Sequence, residues 1–247
     1  MKALILGAGY ATGLYPLTKD RPKSLLPLAG RPLVEHLLSS LANVKELDRV
    51  YLVTNHRFVD RYRDWLENYQ APKRVELLDD GTTTQEDRLG AVGDMQFAIE
   101  RARVHDDLLV MAGDILVRFD LPAFVAFFKQ RGATIALKEM DSPEAARRFG
   151  AVQLDADNRV VEFEEKPAAP RGALISIGLY ALPRTILPKV KEYLTAGHNP
   201  EAPGYFIEWL HRQTGIYGYT VREPWFDIGD IDSYNQANEL LEQGANG

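Results

Sequence analysis

The chain has 247 residues, 45% of them hydrophobic and 26% charged, with a formal net charge of −6 and no cysteine. That is ordinary globular usage, with enough chain for one large domain or two intimately packed ones. The acidic balance favours neither nucleic acid nor an anionic membrane, and the missing cysteines exclude disulfides, zinc–thiolate sites and cysteine nucleophiles together.

Residues 1–6 (MKALIL) read as a buried strand, with no charged leader, long apolar segment or cleavage pattern ahead of it. No apolar run approaches a membrane span, so a cytoplasmic location without membrane or nucleic-acid partners is expected. The strand empties into a loop of small residues, from Gly7 to Leu14. Pro32 then opens a helix over 34–41, a strand follows at 49–54, and a helix with one charged side spans 59–69. A third strand over 74–78 is broken by Asp79, Asp80 and Gly81. A long helix is expected over 87–103 with Asp87 as N-cap, and a fully apolar strand over 107–112. This alternation predicts a mostly parallel sheet covered by helices. The second half is mixed, with strands expected at 133–139, 150–154, 160–164 and 173–181. Helices are expected at 121–130, 142–149, 184–194, 205–213 and 231–243. With no repeat or flexible linker, residues 1–247 read as one domain, divided near residue 118 into two parts.

Several residues have the placement that chemistry needs. A buried strand running into a glycine-rich turn can aim backbone N–H groups at phosphate oxygens, although glycine at such turns is equally a packing device. Neither G-x-G-x-x-G ahead of a helix nor G-x-x-x-x-G-K-[ST] is present. Asp114 follows the 107–112 strand, where open α/β sheets place ligands, but a turn aspartate would read the same. Lys23 alone is indistinguishable from a solvated surface charge. Glu164, Glu165 and Lys166 alone are a charged turn after an edge strand. The five histidines are scattered, with no spacing that would hold a transition metal.

Taken together, the small-residue loop, Pro16-Leu17-Thr18, Pro22-Lys23, Leu25-Leu26-Pro27-Leu28 and Pro32-Leu33 resemble the signature of the sugar-phosphate nucleotidyltransferases, the nucleotide-sugar pyrophosphorylases. The resemblance runs over nearly the whole chain. It implies a Rossmann-like α/β three-layer sandwich, with a mostly parallel mixed central sheet and a smaller acceptor-binding subdomain supplying a second metal ligand. The implied reaction is Mg²⁺-dependent transfer of a nucleotidyl group from an NTP to a sugar 1-phosphate, releasing pyrophosphate. By register, Asp114 and Asp227 (in Trp225-Phe226-Asp227-Ile228-Gly229) are the implied metal ligands, and Lys23 the implied phosphate-neutralising catalytic residue. Implied nucleotide contacts are Leu6, Ala8, Gly9, Tyr10, Gly13, Lys23, Asp80, Gly81, Thr82 and Gly90. Base selection is expected from residues 79–84 and 89–91. The implied acceptor contacts are Gly150, Glu165, Lys166, Ser176 and Asn199, with residues 199–205 as a lid. A short form without a C-terminal β-helix is expected, and homo-oligomers are common among relatives.

This sequence departs from the family at two positions: Ala11 stands where glycine is usual, and Gly13 where arginine is usual. Alanine is strained if that position has a positive φ. A lost arginine removes charge from the phosphates, which Lys19, Arg21 or another basic side chain is expected to replace in a working enzyme. The other readings are a regulatory homologue that binds nucleotide or nucleotide sugar with weakened turnover, and a cytidylyltransferase for a non-sugar phosphate or phosphonate.

Overall fold

A computed structural model describes residues 1–245. The first strand, β1 (Lys2–Leu6), leads through the opening loop to a small hairpin of β2 (Pro27–Leu28) and β3 (Arg31–Pro32). Next come α1 (Leu33–Leu41), β4 (Arg49–Thr54), α2 (Val59–Asn68), β5 (Arg74–Asp79), α3 (Ala91–Arg101) and β6 (Leu108–Ala112). These four long strands are parallel, in the order β5-β4-β1-β6. β1 lies between β4 and β6, so the chain winds away from it in both directions. A crevice opens beyond the carboxyl end of such a strand, and here the opening loop occupies it. Ala3, Leu4 and Ile5 have no exposed surface, as expected for an apolar strand covered on both faces.

Beyond β6 the chain continues as β7 (Ile115–Val117), α4 (Leu121–Arg131), β8 (Thr134–Glu139), β9 (Gly150–Leu154), β10 (Val160–Glu165) and β11 (Leu174–Leu182). It ends with α5 (Leu187–Thr195), α6 (Pro203–Leu210), β12 (Tyr217–Val221), β13 (Trp225–Asp227) and α7 (Ile231–Ala245). β11 joins the two halves, pairing antiparallel with β6, β8 and β9, while β10 extends the sheet past β9. Separately, β13 pairs antiparallel with β7, setting Asp227 opposite Ile115.

Apolar stripes of α1, α2 and α4 cover one face of the sheet, with Leu37, Leu41, Tyr62, Phe124 and Phe128 buried. Those of α3, α5 and α6 cover the other, with Met95, Val190, Tyr193, Phe206 and Leu210 buried. The result is the three-layer α/β architecture. A third small cluster of Leu14, Leu28, Leu33, Leu116, Ile228 and Ala237 fastens the opening loop, β7 and α7 together.

Three expectations are corrected. The helix predicted over 87–103 begins only at Ala91. Asp87 instead accepts from the backbone N–H groups of Thr83 and Thr84, closing a local turn that competes with helix. The 142–149 segment is a 3₁₀ helix over Pro143–Arg148, with the Ser142 hydroxyl accepting from Ala145 N–H. β7, β12 and β13 were not anticipated: two have three residues each, too few to show a period.

Candidate active site

The opening loop is held from behind. Gly7 N–H donates to the Val53 carbonyl at 2.9 Å, and the buried Asn55 amide donates to the Ala8 carbonyl at 2.7 Å. Ala11 adopts the left-handed conformation, φ 50°, and the Thr18 hydroxyl donates to its carbonyl at 2.7 Å. This is the strained case foreseen for alanine, costing about 1 kcal/mol.

Asp114 reaches the loop because Gly113 lies directly against the end of β1. Gly113 N–H donates to the Leu6 carbonyl at 2.9 Å, and a Cβ at Gly113 would stand 2.4 Å from that same oxygen. Lys23, brought by a 3₁₀ turn over Lys23–Leu25, donates from Nζ to Asp114 Oδ2 at 2.9 Å. Asp227 arrives from β13, and the neighbouring Ile228 N–H donates to the Asp114 carbonyl at 2.8 Å. Among the described residues no protein hydrogen bond is recorded to the Asp227 carboxylate. Burial, and then the Asp114 charge, push its carboxyl up to about 6, while Lys23 and Arg148 pull the other way.

These groups line or adjoin a cleft of about 530 Å³. Its floor is formed by Leu6, Ala8, Gly9, Tyr10 and Gly13, with Asp114 and Asp227 at one end and Asp80, Gln85, Gly90 and Asp94 at the other. Arg148, Phe149 and Lys166 line the wall toward the second half of the chain. A groove of about 590 Å³, between α1 and the loop after β7, is slightly larger but contains a single carboxylate, Asp120. The smaller cleft is the one that gathers acidic, basic and small residues at the carboxyl end of a central strand.

A family model described as nucleotidyl transferase matches residues 2–244. The chain belongs to the nucleotidyl transferase family. It is 29% identical over 243 residues to the bifunctional protein GlmU of Methanocaldococcus jannaschii, covering 98% of this chain and 54% of that protein. It is also 29% identical, over 98% of its length and 63% of the relative's, to a Sulfolobus acidocaldarius protein named provisionally as a mannose-1-phosphate guanyltransferase. The chain thus spans between half and two thirds of these relatives. Among solved structures, an apo UDP-glucose pyrophosphorylase superposes with a TM-score of 0.82 at 18% identity, covering 99% of this chain and 98% of the other. A Bacillus anthracis protein, named provisionally as a glucose-1-phosphate thymidylyltransferase and solved with a sucrose, gives 0.79 at 22%, covering 97% and 94%. Both likenesses show the same fold.

Within this member of the family, the remaining residues singled out from sequence divide into two groups. Lys166 lines the cleft, as do seven of the implied nucleotide contacts, whereas Gly81, Thr82, Gly150, Glu165, Ser176 and Asn199 are not among its lining residues. Thr82 is buried, and its N–H and hydroxyl both donate to Asp80 Oδ1. Glu165 lies under α6: its N–H donates to Glu208, and a Cβ at Gly204 would meet its Oε2 at 1.8 Å. Burial lifts its carboxyl to about 7, with Glu208 adding to the rise and Lys166 opposing it. Ser176 pairs in register with Gly150 on the neighbouring strand. The 199–205 segment is docked rather than open. Glu201 and Pro200 accept from the N–H groups of Ala91 and Val92, and Arg88 forks onto Glu201 at 2.8 and 3.1 Å.

Neither Lys19 nor Arg21 lines the cleft: Arg21 faces a separate groove with Leu17 and Trp65, and the Lys19 carbonyl accepts from Arg57. Asp94 and Arg148 were missed. Asp94 had a signal in sequence, as the one charge inside the apolar stripe Val92, Met95 and Ala98. Arg148 had none beyond standing two residues ahead of Gly150.

A Cβ at Gly13 would stand 2.9 Å from the Gly229 carbonyl. Backbone cannot retreat as a flexible side chain can, so Gly13→Ala should lower stability by about 1–3 kcal/mol in thermal unfolding. Gly13→Arg should lose at least as much, with no gain in turnover.

Proposed function

We propose that this chain joins an NTP to a sugar 1-phosphate, forming a nucleotide sugar and releasing pyrophosphate. The observation that carries the reading is the convergence of Asp114, Asp227 and Lys23, from three distant parts of the chain, beside the opening loop in one cleft. Mg²⁺ fits that donor set. Among the described residues no group of three or more His, Cys, Asp or Glu gathers as a closed cage. Two hard carboxylates suit an ion that keeps water and substrate phosphate in its remaining positions. Asp227, whose carboxylate has no protein hydrogen bond among the described residues, has the oxygen donors such an ion takes. When bound, the ion would polarise the α-phosphate and screen the charge of both reactants.

The acceptor needs no general base: a phosphomonoester has a second pKa of about 6, so its oxygen is ionised at neutral pH. That oxygen forms a bond to the α-phosphorus. The bond from the α-phosphorus to the bridging oxygen breaks, and its electron pair leaves with pyrophosphate. The protein's task is alignment and charge. Backbone of residues 7–13 cradles the phosphates, Lys23 supports developing charge on them, and Lys166 holds the acceptor phosphate. Gly150, Glu165, Ser176 and Asn199 shape the acceptor side, and Asp80, Gly81, Thr82 and Gly90 the base side.

A pyrophosphate-release screen tests this, with each common NTP and dTTP against a panel of sugar 1-phosphates and Mg²⁺. Release with at least one pair, abolished by chelation, is the expected result. Silence across the panel, with no NTP bound, sinks the reading.

A further inference from the structure

Three cationic side chains line the cleft, a fourth adjoins it, and they are committed to different degrees. Arg88 is forked onto Glu201, and Lys23 is bonded to Asp114. Lys166 stands on the acceptor side, its charge acting on Glu165. Arg148 is held most loosely. Among the described residues its only ion pair is Nη2 to Asp230 Oδ2 at 3.3 Å, and its side chain is 65% exposed. A pair that open to water is worth little, and exchanging it for a phosphate that accepts two parallel N–H bonds is favourable.

Its position is specific. Nη2 lies 3.2 Å from where a Cβ on Gly229 would stand, and Gly13 approaches the carbonyl of that same Gly229 from the other side. Gly229 is therefore close to both the guanidinium and the opening loop. Any side chain at Gly229 would meet Arg148 on one side and Asp227 Oδ2, also at 3.2 Å, on the other. The two glycines leave the Arg148 head free to move over Gly229 toward the phosphate end of the cleft. Arg148 already lines the cleft that holds Asp114 and Asp227.

Building on the nucleotidyl-transfer reading, we infer that Arg148 leaves Asp230 to bind the pyrophosphate portion of the NTP, supplying from the second half of the chain a guanidinium that the opening loop lacks. It donates N–H bonds to the β- and γ-phosphate oxygens as the bridging electron pair departs with them, and no proton changes hands. Asp230 holds it between turnovers.

Calorimetric binding of inorganic pyrophosphate with Mg²⁺ tests this independently of turnover. Arg148→Ala should bind it about 10–100-fold more weakly than wild type, and Arg148→Lys should recover only part of the loss. In turnover, Arg148→Ala should lower kcat more than it raises KM for the sugar phosphate, and added guanidinium should restore part of the rate. Asp230→Asn breaks the same pair from its other end and keeps the side-chain oxygen that caps α7. It should not weaken pyrophosphate binding if Arg148 serves the ligand. The inference is overturned if Arg148→Ala binds pyrophosphate within twofold of wild type, if Asp230→Asn reproduces the loss, or if only sugar-phosphate binding falls. A wild-type chain that releases pyrophosphate from NTPs while Arg148→Ala matches it rejects this inference alone. A wild-type chain that neither turns over nor binds pyrophosphate rejects the nucleotidyl-transfer reading beneath it.

Discussion

Asp227→Asn is expected to slow pyrophosphate release by a factor on the order of 10²–10³ and, in the same protein, to raise the thermal midpoint measured without ligand or metal. The two effects share a cause. Asp227 is carried by β13 into a mostly buried position beside the Asp114 carboxylate, and no recorded protein hydrogen bond compensates its charge. Buried charge without such compensation opposes folding, and a neutral side chain of the same shape relieves that by about 1–3 kcal/mol. The proposed nucleotidyl transfer, by contrast, calls for an anion there to hold a cation against the α-phosphate. Differential scanning fluorimetry beside a pyrophosphate assay separates the roles. If Asp227→Asn lost activity and stability together, the aspartate would be a structural residue. If activity survived, it would have no part in the chemistry.

The second large effect is expected on the pH dependence of stability, from Asp94 at the other end of the cleft. Asp94 Oδ1 and Asp80 Oδ2 are buried with no hydrogen-bond partner, and each carboxyl shifts the titration of the other. Burial, reinforced by the Asp80 charge, lifts the Asp94 carboxyl to about 8, and burial raises Asp80 as well. The folded chain therefore keeps a proton that the unfolded chain releases near the ordinary aspartate value. With the folded pKa raised, the stabilisation is complete below about pH 4 and shrinks as pH climbs, until the folded-state proton is lost near pH 8. Asp94→Asn offers Asp80 a permanent N–H donor. It should flatten the urea midpoint across pH 5–9 and leave the variant more stable than wild type at pH 8.5. Equal slopes for the two proteins would show that no proton is shared there.

The parallel strands and their helices were legible because each element carries its own local record. Apolar runs such as those at 107–112 are readable one at a time, and the spacing of Leu37, Leu38 and Leu41 marks the buried side of α1 without reference to a neighbour. Boundaries were less legible where side chains compete with the backbone. Asp87 looks like a helix N-cap in sequence, yet it ties Thr83 and Thr84 into a turn and delays α3 to Ala91. Three-residue strands leave no such record. β13 is a strand only because β7 lies beside it.

The candidate site divides along the same line. From sequence alone came the opening loop, the small residues that let it lie close to a ligand, and the family to which the motifs point. Which charges meet was decided by the tertiary structure. Lys23 and Asp114 are bonded across 91 positions, and the approach of Asp227 depends on one register between two short strands. Lys19 and Arg21, adjacent to the loop in sequence, do not line the cleft, whereas Arg148, more than a hundred positions on, does. Backbone periodicity reports what a residue does to its near neighbours along the chain. The electrostatics of a cleft depends on distances through space, and those are set only when the sheet closes.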